Sequence, residues 1–590
     1  MRSIDLYTLL PFIKYFFSLG NPIVANTTSC TVAGGYIWIG SSSIGVSRIR
    51  TEEDSSIDDT LHISTLLSTC NDQGRNNQYQ LRNHHYHVND KDPWKWKYFG
   101  SNRYIVDTNV TAILSLGSVG SGYHHQYDNG DDNDSDNYNF VTTMIVSTVG
   151  VSIIEVQKWN LQEKSKTYLR ASKRHFRRGL LSAYSLNSFG DVHDGYQRVD
   201  DNDGLWTSMH AVGEAYAFAV ERNEEDRTRA WAAFEGLEAL SNVTGSYPTF
   251  PARSYCYIPD QTNGCGIADG EDRWHLSMTM NDYYWKDDTS SDEIDGHLMA
   301  LPVIYDLVAK TDEDRLRVFK LIDGITGGIV ENDFYLIDPT TGQRTLWGFW
   351  NPKELNYERE HYSERPTNSL GILAYLASAY SVTRKHIYKK KFNELVENFN
   401  YVQNCLNEKI DNPDDDNHSD NELMSVTYHI LFYAWYRLPA STIDEITFKN
   451  EVKEMRDLLL PSALKVWKLI GSEFNPLWTS IYLGLGGLKD RVESADLYIE
   501  RSVHTLRRNA LDLVDWPVDH SVRADITLTP FHVRDKDWDT IKEVLPPDQR
   551  PTTHFNADLF AAVTGSGMQE YDPSVFRLPY YMMRFYGLLE

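Results

Sequence analysis

The sequence predicts a mainly α protein, an (α/α)6 toroid preceded by a small β-rich domain or propeller remnant. Three observations carry this. From Trp159 onward, apolar residues recur at helical spacing in about twelve stretches set at hairpin distance from one another. Before about Val156 the pattern alternates as strands do. The loops Thr244–Thr289 and Asn332–Thr367 are long, and too aromatic to be disordered, as loops lining a cleft in a closed ring of helices would be. With 590 residues, of which 13% are aromatic, the chain can bury a sizeable core, and wholesale disorder is excluded.

Taken in order, the N-terminal stretch MRSIDLYTLLPFIKYFFSLGNPIVA has a basic Arg2, an apolar run broken by Pro11 and Lys14, and a small residue at Ala25. Residues 1–25 therefore read as a signal peptide, and secretion is expected. Residues 26–156 read as β-rich. Within them Ile37–Ile49 and Met144–Ile154 echo each other, each an apolar run, a small-residue turn, then Gly-Val-Ser, the spacing of a tight β-hairpin. Repeats of this kind build propeller blades, of which two would be a remnant. The polar segment 128–139 (DNGDDNDSDNYN) reads as a disordered loop.

Residues 157–590 read as the toroid. Helices are predicted over Leu161–Leu180, Leu205–Glu221, Glu225–Leu240, Asp292–Val308, Asp312–Ile322, Ser369–Tyr380, His386–Cys405, Asn421–Tyr436, Ile443–Ile470, Pro476–Leu485, Arg491–Leu511 and Pro573–Tyr586. Of the five cysteines, Cys256 and Cys265 bracket a loop that a disulfide could close. Cys30 and Cys70 could form another, leaving Cys405 alone on a helix, which suits an oxidising compartment. Sequons at Asn26, Asn109, Asn133, Asn242 and Asn417 permit glycosylation.

Lys and Arg number 57 against 83 Asp and Glu, so the net charge is −26. That argues against a nucleic-acid partner, whose phosphates need clustered cations. The one basic stretch, Lys164–Arg178, reads as a solvated helix face. No long apolar run follows the N-terminus, so no transmembrane segment is expected there. P-loop, GxGxxG-helix, GxSxG, HExxH and paired CxxC patterns are missing from the sequence, and neither a cofactor nor a metal is expected. The oxygens of Asp288–Glu293 could suit Ca²⁺, but without EF-hand spacing a structural calcium is not predicted.

Acids and aromatics recur at the junctions before helices. Asp200-Asp201-Asn202-Asp203 precedes Trp206; Asp287-Asp288 and Asp292-Glu293 precede His297; Trp347-Gly348-Phe349-Trp350 precedes Arg365 and Asn368. Asp416–Glu422 brackets His418, Glu473 precedes Trp478, and His520 lies between Asp519 and Asp525. A helix cap needs only one such acid. Their recurrence points to an acidic, aromatic cleft. Paired carboxylates with separated pKa values are the equipment of acid–base hydrolysis, and indole faces pack on pyranose C–H faces. Asp203, Asp288 and Asp292 are expected to be catalytic. Trp206 and Trp350 are expected to stack on sugar, and Arg253, His297, Arg365, Asn368, His418 and Glu473 to bind it.

The stretches DNDGLWTSMHAVGEAYAFAV, FPARSY, DDTSSDEIDGH, WNPKEL, ERPTNSLGILAYL, NHSDNEL, EFNPLW and FRLPYYMMRFYG carry a resemblance. From Trp159 to Tyr586 the chain resembles the helical domain of secreted bacterial proteins in which two-component-regulator-type β-propeller repeats run into a six-hairpin, glycosidase-like toroid. It departs from their pattern at Arg365-Pro366, where Arg-Gly is usual, and in lacking a full propeller. The resemblance implies a carbohydrate-active protein, foremost a glycoside hydrolase. Two alternatives are a non-catalytic glycan-binding or structural protein, and a polysaccharide lyase or epimerase using His297, Tyr362 and Arg365. The charge of −26 is unfavourable to the polyanionic substrate of a lyase.

Overall fold

The computed structural model describes residues 27–33, 36–41, 45–50, 96–99, 110–119, 140–147, 151–156 and 159–590, without 267–272, 408–418, 522, 524–525, 534–535, 542–543 and 551–553. Signal peptide 1–25, loop 128–139, Cys70 and His418 lie outside the described residues. The chain divides into two compact units.

The first unit contains the N-terminal strands. β1 (Thr27–Ala33), β2 (Tyr36–Ser41), β3 (Gly45–Arg50) and β4 (Trp96–Phe99) form one antiparallel sheet in chain order. β5 (Val110–Val119), β6 (Phe140–Ser147) and β7 (Val151–Val156) form a second. The two echoes are the hairpins β2–β3 and β6–β7, with Ser41 opposite Gly45 and Val146 opposite Val151. Asp515–Pro551 and Leu559–Gly567, read from the sequence as part of the helical domain, belong to this unit instead, with their own small core of Ile541, Leu545, Leu559, Phe560 and Ala562.

The second unit is mainly helical, and each predicted helical stretch contains a helix. α1 spans Leu161–Ser172 and stops eight residues short of its predicted end. The chain turns there through Arg178 and Gly179, both with positive φ, joining β8 (Phe176–Arg177) to β9 (Leu180–Leu181). Two-residue hairpins demand that backbone. The basic stretch is a solvated face only in part: Lys166, Arg170, Lys173 and Arg178 are exposed. Lys164 is buried, donating to the carbonyls of Leu506 (3.1 Å) and Arg507 (2.9 Å), and Arg177 is buried with it.

The hairpin leads to β10 (Ala183–Leu186) and β11 (Gly195–Arg198), then α2 (Asp203–Glu221) and α3 (Glu224–Asn242). β12 (Ser254–Tyr257), β13 (Trp274–Leu276) and β14 (Tyr283–Lys286) make a small sheet in the first long loop, with β14 central. Cys256 and Cys265 are joined by a disulfide, and Cys405 is free and buried. α4 (Ser291–Leu307) and α5 (Asp312–Glu331) follow, then the hairpin β15 (Tyr335–Ile337) and β16 (Arg344–Phe349) in the second long loop.

The remaining helices are α6 (Pro352–Tyr357), α7 (Arg365–Thr383), α8 (His386–Phe399), α9 (Tyr401–Cys405), α10 (Ser419–Tyr436), α11 (Ile443–Asp457), α12 (Leu460–Ile470) and α13 (Pro476–Thr479). α13 runs on as a π-helical turn, Ser480–Leu485, before α14 (Ala495–Arg508) and α15 (Ser574–Phe585). α2, α4, α7, α10 and α15 are buried along most of their length and share one continuous core. α2 packs on α3, α4 and α15, α4 on α5, α7 and α10, and α10 on α7 and α11. No helix among the described residues is long and apolar enough to cross a membrane.

Candidate functional site

The starts of α2 and α4 are stitched together by polar side chains. Asn202, in the left-handed region at φ 66°, leaves α2 without a side-chain cap. Its amide instead donates to Asp292 Oδ2 (2.9 Å) and its carbonyl accepts from the Ser290 hydroxyl (3.1 Å). The Gly204 N–H, one of the orphan donors of the first turn, reaches Glu293 Oε1 at 3.2 Å. A Cβ at Gly204 would lie 2.0 Å from Glu293 Oε2, so a larger residue there would displace this carboxyl. Asp203 is fully buried, accepting from Arg177 Nη2 at 2.8 Å and from the Ser254 hydroxyl. Burial raises its pKa to about 7 against the pull of Arg177.

Further acids lie near the same helix starts. Asp295 accepts from Tyr375 on α7 (2.8 Å) and Thr427 on α10 (3.1 Å), and burial lifts its pKa to about 8. Burial pushes Glu293 and Glu422 well above the carboxylate range, and neighbouring acids add to it, Asp203 and Asp292 for Glu293 and Asp292, Asp572 and Asp295 for Glu422. Glu293 Oε2 and Glu422 Oε1 find no hydrogen-bond partner among the described residues. Asp292 is half-buried, and desolvation raises it while Arg253 opposes. Asp572 is the contrast. Its burial is outweighed by His554, at 3.5 Å, and by the Ser574 hydroxyl, which bring it to about 2.

Beside this cluster, Arg253 and Lys286 hold Asp201 at 3.3 and 2.7 Å. Arg253 also donates to the Asp288 carbonyl (3.0 Å). Asp288, at φ 56°, accepts the backbone N–H of Leu346 (2.8 Å) and lies 3.3 Å from Arg273. The loop after β14 and strand β16 therefore meet at its carboxylate.

Arg253 thus joins Asp288 directly and acts electrostatically on Asp292, whose partner Asn202 adjoins Asp203 in the chain. The other expected residues are occupied elsewhere. Trp350 is fully buried, its ring edge-on to Tyr375 at 5.6 Å, so it is a core residue and not a stacking face. The indole that is exposed in that motif is Trp347, at 44%. Trp206 packs against His554, with ring centroids 4.3 Å apart. His297 is fully buried, bonded to the Glu293 carbonyl at 2.7 Å, and burial lowers its pKa to about 4, as expected of a core histidine. Asn368 donates to the Phe349 carbonyl (2.9 Å) and Arg365 to that of Leu355 (2.6 Å). Glu473 takes Asn421 (2.8 Å) and Trp478 (2.9 Å), tying the first turn of α10 to α13.

Sequence reasoning missed Arg177, Ser254, Tyr375, His554 and Asp572. No local signal marks them, because each meets its acid across distant segments. Glu293, Asp295 and Glu422 stood inside the predicted clusters without being given a catalytic or binding role. Among the described residues, no group of three or more His, Cys, Asp or Glu is placed to hold a metal ion. No family model, curated protein or solved structure matches this chain.

Proposed function

We propose that the helical unit is an (α/α)6 toroid and that its acid-lined helix starts hydrolyse glycosidic bonds in an oligo- or polysaccharide outside the cell. In favour of the toroid, α2, α4, α7 and α10 each pack on the next, α10 packs on the π-helical turn Ser480–Leu485 that continues α13, α13 packs on α15, α15 returns to α2, and α2, α4, α7, α10, α13 and α15 have partner helices in α3, α5, α8, α11, α14 and α1 respectively. The Cys256–Cys265 disulfide favours an oxidising compartment.

One observation carries the chemistry: Asp292 and Asp288 stand at the same junction in contrasting surroundings. Burial favours the protonated form of Asp292, while Asp288 is held by a backbone N–H and Arg273. In this reading Asp292 protonates the glycosidic oxygen as the C1–O bond breaks. Asp288 removes a proton from the attacking water or attacks C1 itself. Asp203, enclosed by Arg177 and Ser254, positions the start of α2. The test is release of reducing ends from a panel of plant, fungal, bacterial and animal glycans. Asp292→Asn and Asp288→Asn are each expected to lower turnover by roughly 10²–10⁴-fold. Full activity in either variant ends its assignment.

A second reading, glycan binding without turnover, is favoured by the burial of Asp203, one of the three expected catalytic acids, against Arg177 and Ser254. Its mark would be silence across the release panel, together with array binding that survives combined Asp288→Asn and Asp292→Asn substitution.

A further inference from the structure

A cavity of about 500 Å³ lies between β11 and the loop that follows β12, with Arg177 in its lining. Its walls are pinned in place before any ligand arrives. The Cys256–Cys265 disulfide spans the loop, and Arg178 grips Asp260 with two hydrogen bonds of 2.7 and 2.8 Å while lying over the Tyr257 ring at 4.5 Å. Val199 N–H donates to the Asn263 carbonyl at 2.9 Å, which ties the far end of the loop to the strand side. A loop held this way costs a ligand little ordering entropy.

The charges in the lining are already engaged. Arg177 is taken up by Ser182 (3.0 Å), the Tyr255 carbonyl and Asp203, and Asp260 by Arg178. The other lining residues are Tyr196, Gln261, Thr262 and Asn263, together with Gln197, whose amide N–H groups are given to the carbonyls of Arg174 (2.9 Å) and Phe176 (2.7 Å). A primary amide presents donor and acceptor side by side, the complement of adjacent hydroxyl groups. A partly exposed tyrosine offers an apolar face with a polar tip. Phosphate, uronate and amine ligands would meet no uncommitted counter-charge here.

We infer that this cavity binds an uncharged saccharide, at a place separate from the Asp288–Asp292 junction. The inference does not need the hydrolase reading, since binding here requires no turnover. Calorimetric titration of the full chain with the hexaoses of glucose (β-1,4 and α-1,4 linked), mannose and xylose tests it, with hexagalacturonate as the charged comparison. At least one neutral hexaose is expected to bind. Its affinity should fall at least about tenfold, a loss of about 1.4 kcal/mol, in Tyr196→Ala and in Gln261→Gly. Glycine suits position 261 because Gln261 sits at φ 52°, so that variant keeps the loop conformation should Tyr196→Ala misfold. The inference is overturned if no neutral hexaose binds, if binding is indifferent to both cavity variants, or if hexagalacturonate binds as well through the same residues.

Discussion

Asp203 shows how burial and pairing compete at one residue. Its partner Arg177 lies 2.8 Å away, yet loss of water outweighs that attraction and the carboxyl titrates near pH 7 instead of near the ordinary 3.8. Between those values the folded chain holds a proton that the unfolded chain has released, so this group withdraws stability as pH rises from about 4 to about 7. Asp295 acts in the same direction up to about 8. His297, lowered to about 4, acts oppositely, adding stability as pH rises from about 4 to its ordinary 6.5. The effect of Asp203 is therefore best read as a difference. Asp203→Asn, an isostere of the protonated acid, should gain stability relative to wild type steadily from pH 4 to 7 and no further above it. Urea midpoints across pH 4–8 measure this, and a difference that does not change with pH would contradict the burial argument. That Asp203 and Asp292 stand in the first turns of helices was legible in the sequence, because carboxylates there carry a local signature, whereas Arg253, just before β12, has no such mark. Trp350 was misread because an aromatic run around glycine fits a buried plug as well as a platform. In β16 and the residue after it, burial does not alternate: Leu346 and Trp347 are exposed while Phe349 and Trp350 are buried.

Helices were the most legible elements, since apolar period and caps agree. Thr311 and Thr442 each make a capping box with an acid three residues on, and α5 and α11 begin there. Breaks inside helical patterns were less visible. Asn400 takes a left-handed conformation that divides the predicted His386–Cys405 helix into α8 and α9. Pro461, in the first turn of α12, divides Ile443–Ile470. The opposite error occurred at α5, predicted to end at Ile322 but continuing to Glu331 through Gly324, Gly327 and Gly328. Those glycines weaken the helical pattern, yet two of them serve packing. A Cβ at Gly324 would lie 2.4 Å from Pro248 Cγ and 2.8 Å from its carbonyl oxygen, and one at Gly328 would lie 3.1 Å from Thr249 Cβ. Helix propensity alone would make Gly324→Ala stabilising by about 1 kcal/mol. The clash with Pro248 backbone reverses that, and a net loss of about 1–3 kcal/mol is expected, as for overpacked cores. Equilibrium denaturation decides between the two signs.

Across the helical unit, its first and last helices depend on each other. α15, within the last seventeen residues, packs on α2 and α1, which lie more than three hundred residues earlier. Its Arg577 donates to Glu214 on α2 at 2.7 Å and to the Ser165 hydroxyl on α1 at 2.8 Å, all of them buried. Burial alone would raise Glu214, but Arg577 and then His210 and Arg229 hold its pKa at about 2. This long-range pairing was not legible, because sequence shows an arginine in one amphipathic helix and a glutamate in another without the topology that joins them. It gives the closing helix a role beyond apolar burial. Deleting Ser574–Glu590 would expose the buried faces of α1 and α2 and leave Glu214 with Arg229 alone, at 2.7 Å. The cost is spread over a single continuous core that also includes residues of α4, α7 and α10, so loss should be cooperative. The deletion should abolish the sharp thermal transition of the helical unit and not merely shift it. Arg577→Met, which keeps most of the volume but strands Glu214, should retain that transition with a loss of about 3–5 kcal/mol, less whatever Arg229 compensates. Circular dichroism melts of both variants separate the outcomes. A truncated chain that still melts sharply would mean that α15 is an appendage and that the remaining helices are held without it.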